Sequence, residues 1–441
     1  MTRKTLLRIC SGLLLISVAA CGAQDSKPKA DEQAVEPLVV EAPKSNPEDS
    51  FFTPILDKLD DSLAASVKSG RVASLSYTLI KDGERVRSGF IGSRTLEGEE
   101  PVSDKTIYRI YSMTKPVTAV AILMLQEDGE LDLDDPITKY LPEMKSLQVA
   151  NSPGSATKSA THPVPQPPTI RQLLTHTAGF GYGDGKQDYI NRQFTERKVL
   201  AAPSMDEVVR RTAAIPLKYD PGTAWSYSIA SDLQGAIIER ITGKSLGDFM
   251  QERIFGPLKM TDTAFYVSPE QKARLADATA WTPDTPIHLV GGPLAKMDRA
   301  SVPVDYGGQG LVSTLADYER FALMLLNDGT LDGQTLLKPE SVTLLRTNAL
   351  PIVDPEAPQT MFKRKAGTGY GFGVGVVTDT IQSGLAAPEG TYFWDGASGT
   401  WFWIDPRNKV IFIGLQQNFS PAGVNMRASS MRSVYHAIYS E

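Results

Sequence analysis

Apolar positions along this chain fall into strand-like runs near its two ends and helix-like stretches between them. Residues 72–80 are β-rich, and the Asp82-Gly83 pair that follows is a hairpin signal. The run Pro116-Val-Thr-Ala-Val-Ala-Ile-Leu-Met-Leu125 predicts an apolar helix reaching about Glu127, with Gly129 as its stop. Leu131, Leu133, Ile137 and Leu141 predict packing just beyond it. Residues 145–168, rich in Ser, Thr, Ala and Pro, read as a surface excursion. Thr169-Ile-Arg-Gln172 then has capping-box spacing and runs into a glycine-rich bend. Residues 231–242 predict a helix closed by Gly243. Residues 314–327 predict another, with Leu315, Tyr318, Phe321, Ala322 and Leu325 on one face. Near the C-terminus, β-rich residues 400–404 and 410–415 flank Asp405-Pro-Arg-Asn408, a second hairpin. Strands at both ends with helices between them predict an α/β (α+β) fold, in which one split sheet carries a helical insert.

Composition bounds what such a chain does. Its 441 residues, 41% hydrophobic and 22% charged, suffice for a large core in one big domain or two. The net charge is −6, and the first twenty residues hold Arg3, Lys4 and Arg8 without an acid, which leaves −9 on the remainder. An acidic body argues against nucleic acid as a partner. No glycine-rich phosphate loop and no internal repeat is present. The only cysteines are Cys10 and Cys21, so the body has no disulfide and no thiol metal site. The four histidines, at 162, 176, 288 and 436, lack ligand spacing. Neither a metal nor a cofactor is expected.

The amino terminus reads as a targeting segment. A basic start and the short apolar stretch 13–20 form an export signal, too short to span a bilayer as a mature helix. It ends in Val18-Ala19-Ala20-Cys21, which resembles the lipobox of bacterial lipoproteins. That resemblance implies removal of residues 1–20 and acylation of Cys21, so that the membrane is a partner through lipid. A plain secretory signal with an incidental cysteine is the alternative. Residues 21–50 then form the lipidated cysteine and a polar tether, which at about 3 Å per residue reaches up to about 90 Å. Gly22-Ala23, without an aspartate beside the cysteine, implies an outer-membrane lipoprotein facing the periplasm. Residues 51–441 form the globular body.

Candidate chemistry centres on Tyr111-Ser112-Met113-Thr114-Lys115. Side chains at i and i+3 share a helical face, so Lys115 reaches back toward Ser112. A serine becomes a nucleophile beside a base, which a desolvated lysine helps to supply. Pro116 is tolerated only in a first helical turn, which puts Ser112 at the helix start. A helix cap beside a solvated lysine fits the same residues. Ser155-Ala156-Thr157-Lys158 repeats the spacing without any apolar periodicity to hold its geometry. Gly243-Lys244-Ser245-Leu246-Gly247 matches a nucleophile elbow, but a helix precedes it where a strand is required. Gly243 therefore reads as a helix end and Ser245 as the next cap.

Five segments in order carry a family resemblance. They are Ser112-Met-Thr-Lys115, Leu173-Leu-Thr-His-Thr-Ala-Gly179, Pro221-Gly-Thr-Ala-Trp-Ser-Tyr-Ser228, Gly307-Gly-Gln-Gly-Leu-Val-Ser-Thr314 and Trp394-Asp-Gly-Ala-Ser-Gly-Thr400. Together they resemble the serine β-lactamase and penicillin-binding superfamily. The nearest part is its class C-like branch, with family VIII carboxylesterases and D-alanyl-D-alanine carboxypeptidases. The resemblance implies a β-lactamase-like/DD-peptidase fold, with an antiparallel sheet from both chain ends and an all-helical lobe inserted. It implies Ser112 as the acylated nucleophile, Lys115 as its amine partner and Tyr227 as the second base. It also implies an oxyanion hole from the backbone amides of Ser112 and Ala397. His176 is implied to be structural, buried and hydrogen-bonded.

Two departures from the family pattern bear on substrate. Ile229 stands where a Tyr-x-Asn motif places its amide. Trp394-Asp395-Gly396 stands where many members carry Lys-Thr-Gly. Both polar anchors for β-lactams and cell-wall peptides are therefore replaced. An apolar wall including Ile229 and Trp394 suits a neutral acyl ester, and Asp395 disfavours anionic substrates further. The expectation is a serine hydrolase with a covalent acyl-enzyme that acts on small neutral esters. A β-lactamase or D-alanyl-D-alanine carboxypeptidase is the second reading, and a non-catalytic penicillin-binding-like envelope module the third. The sequence carries no signal for oligomeric state.

Overall fold

The computed structural model describes residues 46–183, 188–351, 366–420 and 426–440. The export signal, Cys21 and most of the tether lie outside the described residues. The folded unit begins at Asn46, five residues earlier than the sequence suggests. Pro47–Ser50 makes a 3-10 turn, capped by the Asn46 side chain, and Glu48 pairs with Arg87 at 3.4 Å.

The central sheet has seven antiparallel strands. They are β1 (Ser74–Lys81), β2 (Glu84–Gly92), β3 (Thr368–Tyr370), β4 (Gly375–Val377), β5 (Tyr392–Asp395), β6 (Trp401–Asp405) and β7 (Val410–Gln416). Their order is β3-β4-β5-β6-β7-β1-β2, so the N-terminal hairpin completes a sheet that the C-terminal third began. The expected split sheet is thus present. Asp82 and Gly83 turn the β1–β2 hairpin with φ of 53° and 85°, the left-handed geometry a two-residue connection requires.

Alternation along the strands sorts the core into two layers. Leu75, Tyr77, Leu79, Phe393, Trp401, Trp403, Val410 and Phe412 point to one face. There they meet α1 (Thr53–Lys68) and the C-terminal helix Met426–Tyr439. Trp401 and Trp403 each stack on Phe412, with ring centroids 6.0 and 5.9 Å apart. Tyr392, Trp394, Phe402, Ile404, Ile411, Ile413 and Leu415 point to the other face and join the larger core. Where both faces are covered, as at β6 and β7, the strands read as nearly continuous apolar runs, whereas the edge strand β2 is polar and exposed.

Three helices of the larger core matter for the site: α2 (Thr114–Glu127), α3 (Ala230–Thr242) and α4 (Leu315–Leu326). Every residue of α2 from Thr114 to Leu125 is buried, as expected of a helix that is apolar all round. Thr314 caps α4 and Gly243 ends α3 in the left-handed conformation. Ser245 caps the next helix, consistent with a cap and not with a nucleophile elbow. The Thr169–Gln172 capping box is formed. The 145–168 excursion is more ordered than its composition suggests, because Gln148–Ala150 pairs with Thr161–Pro163 and buries Val149.

Candidate active site

Ser112 lies in the 3-10 turn Tyr111–Met113 that leads into α2. Tyr111 has φ of 43°, a left-handed conformation that a bulky residue adopts only when its surroundings impose it. Those surroundings are specific. Ile110 N–H donates to Leu311 O at 3.0 Å, Tyr318 Oη donates to Met113 O at 3.1 Å, and Leu311 N–H donates to Thr114 Oγ1 at 3.2 Å. The turn is thus held on both sides, and Ser112 is left half-buried at the helix mouth.

Lys115 is fully buried one turn on. Its Nζ donates to the Gly308 carbonyl at 2.6 Å and to Ser112 Oγ at 3.3 Å. The ammonium also lies 4.5 Å from the Tyr227 ring centroid and 5.2 Å from that of Tyr182. A cation so placed is held by π faces as well as by oxygen. Ser112 and Lys115 are therefore in contact, as their spacing predicts.

Tyr227 arrives from a separate loop. Its Oη donates to Ser112 Oγ at 2.6 Å. The loop is tied to the bend around His176 by Gly222 N–H to Thr177 O (2.8 Å), Ser226 N–H to His176 O (2.9 Å) and Ile229 N–H to Gly181 O (3.1 Å). His176, buried with φ of 55°, meets Ser228 Oγ through Nδ1 at 3.0 Å and packs 4.9 Å from the Tyr227 ring. It is a structural residue, as the sequence implied. The structure brings Ser112, Lys115 and Tyr227 together.

The third arm is the turn between β5 and β6. Trp394 faces the site, with its ring 5.8 Å from Tyr227 and 5.2 Å from Tyr370. Gly396 is required for close approach, since a Cβ there would lie 2.5 Å from Ile110 O and 2.1 Å from Thr400 Oγ1. Thr400 Oγ1 and Ser398 Oγ donate to Ile110 O and Arg109 O, fastening the turn to the segment that precedes Ser112. Ala397 is exposed at this edge, and its N–H donates no hydrogen bond to the protein among the described residues.

Two residues expected in the substrate wall lie elsewhere. Ile229 precedes α3 and is fully buried in the larger core, so it sits behind the site and offers it no surface. Asp395 follows Trp394 on a strand, and successive side chains point to opposite faces. It is exposed and ion-paired with Arg427 Nε at 2.7 Å, so it lies on the far face with its charge balanced. Sequence reasoning also missed residues. Tyr182, Trp225 and Tyr370 complete an aromatic cluster around the triad. Trp225 and Tyr182 stand inside or beside the quoted motifs, whereas Tyr370 reaches the site only through the sheet.

Comparison with known proteins gives the family and the fold. The family model described as Beta-lactamase matches residues 59–435. An uncharacterised protein of Mycobacterium tuberculosis is 36% identical over 344 residues, covering 77% of this chain and 84% of that one. Esterase EstB of Burkholderia gladioli is 29% identical over 365 residues (78% and 86% of the two chains). Lovastatin esterase of Penicillium rubens is 28% identical over 404 residues (86% and 98%). Among solved structures, EstCE1, described as a hydrolase with promiscuous acyltransferase activity, superposes with a TM-score of 0.72. It has 22% identity, over 89% of this chain and 99% of that one, which speaks to the fold.

Proposed function

Because the chain belongs to the beta-lactamase family, a family of serine hydrolases, we propose that it is a carboxylesterase working through an acyl-enzyme on Ser112. The observation that carries this reading is the contact of Ser112 Oγ with both Tyr227 Oη (2.6 Å) and Lys115 Nζ (3.3 Å) under an aromatic wall. In the first half-reaction Ser112 Oγ bonds to the acyl carbon, and its proton passes to the Tyr227–Lys115 pair. The ester C–O bond then breaks, and the leaving alkoxide takes that proton. Water repeats the sequence on the acyl-enzyme and releases the acid. The Ser112 and Ala397 amides are the proposed donors to the oxyanion, and the exposed, unengaged Ala397 N–H supports this.

Ester preference rests on Trp394. An indole stands where a cation would grip a substrate carboxylate, and its neighbours Tyr227 and Tyr370 are aromatic. A neutral acyl group gains from this surface, whereas among the described residues an anion meets no fixed positive partner beside Trp394. The esterase names of the Burkholderia and Penicillium relatives agree. The test compares turnover of a short p-nitrophenyl ester with that of a chromogenic cephalosporin, on wild type and Ser112→Ala. Faster cephalosporin turnover would reverse the preference. No organophosphonate adduct on wild type would favour a non-catalytic envelope module.

We further propose that residues 1–20 are removed and that Cys21 carries lipid, holding the enzyme at the periplasmic face of the outer membrane. The basic start, the short apolar run and the small residues before Cys21 support this reading. Palmitate labelling that persists in Cys21→Ser would overturn it.

A further inference from the structure

Asp232 lies in the first turn of α3, fully buried, and the reaction described above makes no use of it. Its Oδ1 accepts the Gly308 N–H at 2.9 Å, and the Gly308 carbonyl accepts from Lys115 Nζ at 2.6 Å. Its Oδ2 is buried without a hydrogen-bond partner among the described residues. The intervening segment is clamped between two helices. Thr118 Oγ1 on α2 donates to Gly307 O at 2.7 Å, and a Cβ on Gly307 would lie 2.5 Å from Ser231 O on α3. A Cβ on Gly308 would lie 2.7 Å from Asp232 Oδ2, so glycine alone lets the carboxylate approach this closely.

A buried carboxylate costs stability unless something compensates it. The ionisable groups that face Asp232 are Lys115 from α2 and Tyr306 from the segment before Gly307. Among the described residues only Lys115 offers it a positive charge. Desolvation raises the Asp232 carboxyl to about 6, and the attraction of Lys115 is the largest influence opposing it. An asparagine would accept the Gly308 N–H equally well. What aspartate adds is charge.

We propose that Asp232 is a positioning residue whose carboxylate, acting through Gly308 and as counter-charge to Lys115, keeps Lys115 Nζ aimed at Ser112. This rests on the acyl-enzyme reading of Ser112. A neutral amine would leave the carboxylate without its counter-charge.

The test uses the full chain and Asp232→Asn on a short p-nitrophenyl ester. At neutral pH and above, kcat should fall about tenfold or more, with KM changed less than about twofold. The deficit should shrink as pH drops through about 6, where the wild-type carboxyl itself becomes neutral. A purely structural role moves neither the split nor the pH dependence. A second readout is thermal melting of Lys115→Met in both backgrounds, where the loss in Tm should be larger with Asp232 than with asparagine. If Asp232→Asn fails to fold, recovery of folding in the Asp232→Asn/Lys115→Met pair supports the charge relation. Failure of that pair as well assigns a packing role and overturns it. A folded Asp232→Asn with wild-type kcat across the pH range, or additive Tm changes, also overturns it. A wild type that neither turns over the ester nor labels on Ser112 sinks the acyl-enzyme reading instead, and the melting cycle still reports on Asp232.

Discussion

The phenolic oxygen of Tyr227 lies 2.6 Å from Ser112 Oγ, although 115 residues separate them in the chain. The contact exists because two loops, one ending at His176 and one carrying Tyr227, are hydrogen-bonded to each other and delivered together over the mouth of α2.

That contact predicts the behaviour of two variants. Ser112→Ala should lose ester turnover and organophosphonate labelling while melting near the wild-type temperature. Tyr227→Phe keeps the ring contacts and loses only the hydroxyl, so kcat should fall by about 10²–10⁴. Steady-state kinetics beside a thermal melt checks both, and Tyr227→Phe at wild-type rate would remove tyrosine from proton transfer.

Trp394→Lys should shift selectivity. The indole is replaced by a cation at the position where Lys-Thr-Gly members carry one, so the ratio of cephalosporin to ester turnover should rise. Two aromatic contacts vanish with the ring, at 5.8 Å to Tyr227 and 5.2 Å to Tyr370, and stability should drop by about 1–3 kcal/mol. Urea unfolding and the two chromogenic substrates measure the pair of effects.

Asp395→Asn should leave selectivity between neutral and anionic esters unchanged within about twofold, because its charge is balanced by Arg427 on the opposite face of β5. A large gain on anionic esters would return Asp395 to the substrate wall.

Stability should depend on pH through Asp232. Its carboxyl binds a proton more tightly in the folded chain, at about 6, than the ordinary 3.8. The contribution is therefore fully present below about pH 4 and lost as pH rises through about 6. Relative to their difference at pH 4, Asp232→Asn should gain about 2–3 kcal/mol over wild type by neutral pH. Urea titrations at a series of pH values read this directly, and parallel curves for the two proteins would refute it. Together with slower turnover, such a gain would mark Asp232 as a group that raises rate at the expense of stability.

Much of the fold was legible in the residues. The Asp82-Gly83 and 405–408 turns, the caps at Thr169, Thr314 and Ser245, and the stop at Gly243 are local chemistry, and each appears where its sequence signal lies. The Ser112–Lys115 contact is equally local, since helical spacing brings i and i+3 together. The two displaced wall residues show where such reading stops. Ile229 stands two residues after Tyr227 in the same motif, but polarity does not say which way a residue preceding a helix turns. Asp395 lies on the face opposite Trp394 because strand alternation operates on a register that only pairing with β4 and β6 establishes.

Sequence by itself determined the family, the contact of Ser112 with Lys115, and the division of the chain into strand-forming ends around a helical middle. These follow from short-range periodicity and from motifs whose residues act within a few positions of one another. Tertiary structure alone set the contact geometry of Tyr227 and Ser112 that the resemblance implied, added Tyr370 beside Trp394, and put a buried aspartate behind Lys115. Those relations join residues tens to hundreds of positions apart, and packing between separate helices and strands creates them.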